Sequence, residues 1–207
     1  KQVAARGDKV FATCRKKASS ASGVDAISAI SGDVTIIEGV DIADDGVGAV
    51  LASSPLAGVS IDVIMHNAGS LNGTRDVAAP QLMSDQDLEA VTMDRMRAAF
   101  EVNTLGPLRV QKALTGQLAS PGGKVVIIST GLGSISDNGS GGKYAYRVSK
   151  AGANMVAKSL SADLKEVRAA LASAEKSLAE ETASAKRRAK WKEQHMQQLE
   201  ATEAACA

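Results

Sequence analysis

Four short runs of apolar residues recur along the N-terminal part of the chain. They read KVFATC (residues 9–14), VTIIEGV (34–40), IDVIMHN (61–67) and KVVIIST (124–130). Each run is almost continuously apolar and does not alternate with polar positions, which is typical of strands covered on both faces in a parallel sheet. The pattern therefore predicts four buried parallel strands.

Segments with apolar residues at helical spacing separate these runs. They cover residues 45–53, residues 85–118, which suit two helices or one bent helix, and residues 146–164. Strands that alternate with helices indicate βαβ units, and successive units build a doubly wound sheet. The predicted fold class is therefore α/β.

The C-terminal part of the chain has a different composition. Residues 164–207 contain no Gly and no Pro and are rich in Ala, Glu, Lys and Gln, which are good helix formers. Leu164, Leu171 and Leu178 recur at seven-residue intervals, but the repeat is too short to define a coiled coil. We expect residues 1–163 to form the α/β domain and residues 164–207 a long, mostly exposed helical tail.

Composition and charge narrow the classes of function. The chain has 207 residues, of which 44% are hydrophobic, enough for one globular domain with a core. Aromatic residues make up only 2% and the formal net charge is +1, which disfavours nucleic acids and membranes as partners. No apolar run approaches the ~20 residues of a membrane-spanning helix and no signal peptide is visible, so we expect a cytoplasmic protein. Nothing in the sequence indicates a metal site.

A tyrosine and a lysine lie four residues apart in the segment STGLGSISDNGSGGKYAYRVSK (residues 129–150). On a helix, Tyr146 and Lys150 share one face and lie within reach of each other. A nearby ammonium stabilises the phenolate form of a tyrosine, so proton exchange by the phenol becomes easier near neutral pH. Tyr146 is therefore the candidate proton donor or acceptor, and Lys150 the residue that tunes it. From this spacing alone, the alternative is an exposed Tyr and an exposed Lys on a surface helix.

Five motifs occur in the order that they have in a known family. They are VDIAD (residues 40–44), HNAG (66–69), FEVNTLG around Asn103, STGLGS (129–134) and YRVSK with Tyr146 and Lys150. Together they resemble the short-chain dehydrogenase/reductase (SDR) family, over roughly residues 1–165. The surrounding sequence is most similar to carbonyl reductases of the C-factor and sniffer type. The resemblance implies a Rossmann-like fold and an NADP-dependent enzyme that reduces an aldehyde, ketone or quinone to an alcohol.

The resemblance also assigns roles to further residues. It implies that Lys150 holds the nicotinamide ribose, and that the side chain of Asn103 ties a local break in its helix to a water that reaches the lysine. A hydroxyl that hydrogen-bonds the reacting oxygen follows the fourth strand, and the alignment prefers Thr130 in this place over its neighbour Ser129. Most of the family has Ser here, and the methyl group of Thr130 restricts its rotamer.

Candidate cofactor-binding residues follow the first three predicted strands. Asn67, Ala68 and Gly69 lie at the sheet edge where ligands bind in open α/β folds, and their small side chains let the backbone approach the adenosine half of a cofactor. By resemblance, Asp41 contacts the adenine edge. Arg15 follows the first strand, where a basic residue accommodates the 2′-phosphate of NADP. We therefore expect NADP(H), with NAD(H) as the less favoured cofactor.

Two elements of the family are absent from this sequence. No glycine-rich loop Thr-Gly-x-x-x-Gly-x-Gly occurs near Lys1, and the helical tail replaces the strands and the Pro-Gly motif expected after Leu164. We therefore expect an incomplete Rossmann-like sheet with a gap in place of the family's central first strand, weak cofactor binding and little catalysis. The chain is then a fragment or a misjoined gene model.

Two kinds of partner besides a carbonyl or alcohol substrate follow from the sequence. By resemblance, residues 94–118 and 146–164 are the helices through which SDR proteins often pair, so a homo-oligomer is one expectation. The alternative to an enzyme is a non-catalytic SDR-derived protein that binds a helical partner through its tail.

Overall fold

A computed structural model of the chain describes residues 2–15, 30–71 and 87–205. Within these ranges the strands are β1 (Val10–Thr13), β2 (Val34–Ile37), β3 (Val63–His66) and β4 (Lys124–Ile127). The α-helices are α1 (Gln2–Ala5), α2 (Val47–Ala52), α3 (Met93–Phe100), α4 (Gly106–Leu114) and α5 (Tyr144–Ala205). A π-helical turn (Glu101–Leu105) joins α3 to α4, and 3₁₀ turns cover Thr115–Gln117 and Gly131–Gly133. All four predicted strands are confirmed, each within its predicted run.

The strands form two separate parallel pairs. β1 runs beside β2 with Val10 opposite Val34, and β3 runs beside β4 with Val63 opposite Lys124. Among the described residues, no ladder joins one pair to the other. The parallel sheet is thus divided where the sequence predicted a gap, and strands alternating with helices give the Rossmann-like α/β order.

Both strand pairs share one hydrophobic core. Its buried members come from β2, α2, β3, α4 and the turns beside them: Ile37, Val40, Val47, Leu51, Leu56, Ile64 and Leu114. Phe11 of β1 is partly buried and packs against this cluster, whose buried members among the described residues are all aliphatic. The core is therefore aliphatic, as the low aromatic content predicts, and its burial favours keeping the two pairs together.

The helical stretch predicted for residues 85–118 begins later than its pattern indicates. Residues 87–92 are not helical, and α3 starts at Met93. The hydroxyl of Thr92 accepts a hydrogen bond from the backbone N–H of Arg95 (3.3 Å), which caps the helix. The helical prediction for residues 87–92 is therefore wrong, because a side-chain cap sets the start of the helix.

One turn of π-helix interrupts the same stretch. Pro107 has no N–H to donate to the carbonyl of Asn103, four residues earlier, and in a regular α-helix its ring would crowd that carbonyl. The backbone widens here, and the N–H of Gly106 donates to the carbonyl of Glu101, five residues back. The sequence predicted two helices or one bent helix for this stretch, and the structure shows two α-helices, α3 and α4, joined by the π-turn.

The last helix is longer than predicted. Residues 146–164 and the tail belong to one element, α5, whose side chains are described for residues 144–165, 173 and 176–190. The chain divides into two compact units, Lys1–Ser159 and Leu160–Ala207, and the predicted domain boundary at residues 163–164 stays a prediction. Of the heptad leucines, Leu178 is 65% exposed, and the side chain of Leu171 lies outside the described residues. None of the helices in the described ranges has the length and hydropathy that crossing a membrane requires.

Candidate active site

The candidate site lies at the carboxyl ends of β3 and β4. β3 leads into the HNAG loop (residues 66–69), and β4 leads into Ser129 and Thr130. The two strand ends remain paired, because the N–H of Ile128 donates to the carbonyl of His66 (3.1 Å). This is the edge at which open α/β sheets bind ligands. The π-turn and the first turns of α5 bring the other predicted residues to it.

Asn103 is held by three hydrogen bonds within the π-turn region. Its side chain is buried, with 1% exposure of the residue. Oδ1 accepts from the N–H of Ser70 (2.7 Å), while Nδ2 donates to the carbonyl of Ser70 (2.7 Å) and to Oγ of Ser149 (2.9 Å). Asn103 therefore joins the end of the HNAG loop to α5. The water-mediated relay that the family resemblance implies stays a prediction.

Ser149 continues this network along α5. It is 1% exposed, and its Oγ donates to the carbonyl of Tyr146 (3.0 Å). The hydroxyl of Thr104, in the π-turn, donates to the carbonyl of Ser149 (2.8 Å). The turn of α5 that carries the candidate catalytic pair is thus fixed to the π-turn by side-chain hydrogen bonds.

Lys150 is buried, with only 6% of the residue exposed. Its Nζ donates to the carbonyl of Ile128 (2.8 Å) and lies 5.9 Å from the centre of the Tyr146 ring. Burial lowers the pKa of Lys150, because desolvation disfavours the charged ammonium. An ammonium has three N–H donors, and the bond to Ile128 is its only hydrogen bond within the described part of the chain. Two donors therefore remain for a ligand.

Gly69 lets the HNAG loop approach both polar groups closely. A Cβ atom at this position would lie 3.2 Å from Oδ1 of Asn103 and 3.5 Å from Nζ of Lys150. A larger side chain would therefore crowd the amide and the ammonium. This close approach gives a structural reason for the glycine in HNAG.

The two hydroxyl groups after β4 have different partners. Oγ of Ser129 donates to Oδ1 of Asn154 (2.6 Å), so its proton is engaged. Oγ1 of Thr130 instead accepts from the N–H of Leu132 (3.3 Å) and caps the 3₁₀ turn. Its own proton therefore remains available for an acceptor such as a carbonyl oxygen. This geometry favours Thr130 over Ser129, and the catalytic role of either hydroxyl stays a prediction.

The residues predicted to bind the nucleotide end of a cofactor are more exposed. Arg15 and Asp41 follow β1 and β2, and thus belong to the other strand pair. Oδ1 of Asp41 accepts from the N–H of Ala43 (3.0 Å), so part of this carboxylate closes a local turn. Asn67 and Ala68 are exposed at the end of β3. The described residues hold no group of His, Cys, Asp and Glu arranged for a metal ion.

His66, the last residue of β3 and the first of the HNAG loop, is buried. It is 8% exposed, and its Nε2 lies 3.2 Å from Oε1 of Gln111, which is fully buried. Burial lowers the pKa of His66, and the hydrogen bond to Gln111 opposes that shift. Nε2 of Gln111 donates in turn to the hydroxyl of Thr115 (3.2 Å). The histidine therefore joins the loop to α4.

Sequence reasoning missed Arg147, Ser149 and Asn154, which all support the site from α5. Helical spacing could have found all three. Ser149 follows Tyr146 by three residues, Asn154 follows Lys150 by four, and Arg147 precedes Lys150 by three.

Comparison with known proteins identifies the class of protein. Residues 1–193 match the family described as short chain dehydrogenase. The chain is 34% identical over 165 residues to 1-hydroxy-2-glutathionyl-2-methyl-3-butene dehydrogenase of Rhodococcus sp. (strain AD45), covering 79% of this chain and 64% of that protein. It is 37% identical over 106 residues to C-signal of Myxococcus xanthus, covering 51% of this chain and 57% of that protein. The chain therefore belongs to the short-chain dehydrogenase/reductase family, and it spans less than two thirds of either relative.

Solved structures show which members of the family this chain resembles. A short-chain dehydrogenase/reductase from Burkholderia multivorans with bound NADP superposes with a TM-score of 0.65 at 29% identity, covering 80% of this chain and 66% of that one. A carbonyl reductase from Pseudomonas aeruginosa PAO1 in complex with NADP gives a TM-score of 0.62 at 25% identity, covering 77% and 66%. The predicted Rossmann-like fold and the resemblance to carbonyl reductases of this family are confirmed.

Proposed function

We propose that this chain is an NADP(H)-dependent oxidoreductase that reduces the carbonyl group of a small aldehyde, ketone or quinone to an alcohol. The observation that carries the proposal is the buried ammonium of Lys150 beside the ring of Tyr146. A phenol beside a cation suits proton transfer, and the hydroxyl of Thr130 at the same sheet edge suits a hydrogen bond to the reacting oxygen.

Reduction of a carbonyl group adds a hydride to carbon and a proton to oxygen. A bound nicotinamide cofactor supplies the hydride chemistry. Tyr146 gives its phenol proton to the carbonyl oxygen as the C–O double bond becomes a single bond, and Thr130 donates a hydrogen bond to that oxygen. Lys150 stabilises the phenolate on Tyr146 until solvent returns a proton. Alcohol oxidation uses the same groups in reverse.

The residues present fit the ribose and 2′-phosphate parts of NADP(H). Lys150 has two N–H donors besides its bond to Ile128, and ribose hydroxyls are suitable acceptors. Arg15 at the end of β1 suits a 2′-phosphate, which favours NADP(H) over NAD(H). The solved relatives with bound NADP support this choice.

The test compares the only two tyrosines of the chain. NADPH oxidation is followed by absorbance with a simple aldehyde or quinone, at saturating cofactor. Tyr146→Phe removes the transferable proton and should lower kcat about a hundredfold or more. Tyr144→Phe, a matched change at a residue that is 36% exposed, should keep the activity. Equal activity of Tyr146→Phe and the parent chain would refute the proposed role.

The competing function is a non-catalytic protein that binds a partner through its helical tail. The exposed Leu178 in the unit Leu160–Ala207 is the observation that favours it. In that case the parent chain oxidises no NADPH at any cofactor concentration, and sedimentation shows association that grows with protein concentration.

A further inference from the structure

Arg147 is a buried cation that the proposed reaction does not use. It is 8% exposed, and its guanidinium bonds only uncharged acceptors. Nε donates to the carbonyl of Gly141 (3.2 Å), Nη1 to the carbonyl of Leu132 (3.4 Å) and Nη2 to Oγ of Ser140 (2.9 Å). None of the ion pairs of the described residues includes Arg147. Burying a charge without a carboxylate partner costs desolvation free energy. The hydrogen bonds to these three acceptors offset that cost and hold the guanidinium in place.

The three acceptors lie at the two ends of one loop. This loop, residues 131–143, runs from the end of β4 to the start of α5. Leu132 lies near its beginning, whereas Ser140 and Gly141 lie near its end, so one side chain ties both ends together. Ile135, between these ends, is 87% exposed. The loop is therefore anchored at its base rather than along its length.

The loop enters α5 through a strained turn. Gly141, Gly142 and Lys143 have φ angles of 63°, 60° and 51° in succession. For the non-glycine Lys143 this left-handed conformation costs about 1 kcal/mol or more. The carbonyl of Lys143 accepts from the N–H of Arg147 (2.8 Å), so Arg147 holds this turn with its backbone as well as its side chain. The strained turn ends directly before the helical residues that lead to Tyr146.

α5 fastens the same loop at a second point. Asn154 follows Arg147 by seven residues and therefore lies on the same face of the helix. It accepts from Oγ of Ser129 (2.6 Å) and donates to the carbonyl of Gly133 (3.3 Å). Gly133 packs directly on the helix, since a Cβ there would lie 3.0 Å from the carbonyl carbon of Lys150. Two side chains of α5 thus set the path of the loop.

We propose that Arg147 is a positioning residue, which ties both ends of the loop 131–143 to α5 and so sets the placement of Tyr146 relative to Thr130. Its consequence for catalysis rests on the proposed function, but the placement itself does not. A shift of roughly 1 Å between reacting groups is enough to slow an enzyme by about a hundredfold.

The placement is tested in a Tyr144→Phe background of the full chain, where Tyr146 is the only tyrosine. Arg147→Met keeps the length of the side chain but removes its donors, Arg147→Lys keeps one donor group, and Arg97→Met is the control at a side chain that is 72% exposed. NMR of ring-labelled tyrosine should give one set of ring signals in the background chain and in the control. Arg147→Met should shift or broaden these signals, and trypsin should cut after Lys143 about tenfold faster.

The kinetic measurement separates positioning from cofactor binding. Arg147→Met should lower kcat for NADPH-dependent carbonyl reduction by about tenfold or more, with the KM for NADPH within about twofold, and Arg147→Lys should restore part of the rate. If the parent chain shows no turnover, the proposed function is contradicted but the role of Arg147 is not. The tyrosine spectrum and the cleavage rate test that role independently.

An unchanged tyrosine spectrum and an unchanged cleavage rate in Arg147→Met overturn the inference. If circular dichroism shows that this variant does not fold, Ser140→Ala replaces it, since it removes one acceptor of the guanidinium and leaves Arg147 in place. Cleavage after Lys143 should then be about threefold faster than in the background chain. An unchanged rate in Ser140→Ala likewise overturns the inference.

Discussion

The two ends of the candidate site are built differently. At the proton-transfer end, Asn103, Ser149 and Lys150 are at most 6% exposed and are hydrogen-bonded between the HNAG loop, the π-turn, β4 and α5. At the nucleotide end, Asn67 and Ala68 are exposed after β3. A buried network fixes its side chains before a ligand arrives, whereas exposed side chains lose their freedom only on binding. Substitutions should therefore change stability and chemistry together at the first end, and mainly binding at the second.

Asn103→Leu should give the largest effect and tests this comparison most directly. It removes three hydrogen bonds and leaves polar groups of Ser70 and Ser149 without them. Because a buried polar group that loses its partner costs about 1–3 kcal/mol, the free energy of unfolding should fall by about 3 kcal/mol or more. Urea unfolding followed by circular dichroism measures the change, and NADPH oxidation should be lost in the same variant.

Asn67→Ala is the matched control at the nucleotide end. Asn67 is exposed, so its truncation should change the free energy of unfolding by less than about 0.5 kcal/mol. If the two asparagine variants lose equal stability, the proposed difference between the ends of the site is wrong.

Thr130→Val should change the rate far more than the stability. Valine has nearly the same shape as threonine but cannot donate a hydrogen bond, so kcat should fall by about a hundredfold. The loss of the bond that Oγ1 accepts from the N–H of Leu132 should cost only about 1 kcal/mol of stability, so the fold persists. Ser129→Ala is the comparison, because Oγ of Ser129 is already engaged with Asn154. It should change kcat only a few-fold. A greater loss of kcat in Ser129→Ala would assign the polarising hydroxyl to Ser129 instead.

The fold could largely be predicted because its signals are local in the sequence. The continuous apolar runs mark buried parallel strands, and apolar residues at helical spacing mark the stretch that forms α3 and α4. The start of α3 could not be predicted from apolar spacing, because the cap at Thr92 decides it. The division of the sheet was predicted from the family resemblance and not from the periodicity of apolar residues.

The residue types of the candidate site could be predicted, but their partners could not. Tyr146 and Lys150 share a face because of their spacing, which any helix imposes. The partners of Asn103, by contrast, lie 33 and 46 residues away in the chain, at Ser70 and Ser149. Such contacts arise only when the HNAG loop, the π-turn and α5 pack together, so no local sequence pattern predicts them.

His66 gives the smallest expected effect and lies at the start of the HNAG loop, before the exposed Asn67. Its burial lowers the pKa of the folded state, whereas an exposed histidine in the unfolded chain titrates near about 6.5. As the pH falls, the unfolded chain therefore takes up a proton before the folded chain does. The stability linked to His66 is complete above about pH 6.5 and is lost as the pH falls through the lowered pKa.

His66→Asn removes this titration and leaves the other histidine, His195, in both proteins. The urea midpoints of the parent and the variant are compared at about pH 7.5 and about pH 5, so that all other titrating groups cancel in the difference. The parent should lose more stability than His66→Asn between the two pH values. An equal loss would mean that the folded chain accepts a proton on His66 as readily as the unfolded chain. The buried contact of His66 with Gln111 would then open in solution, and the first residue of the HNAG loop would be no more firmly held than the exposed Asn67 and Ala68 that follow it.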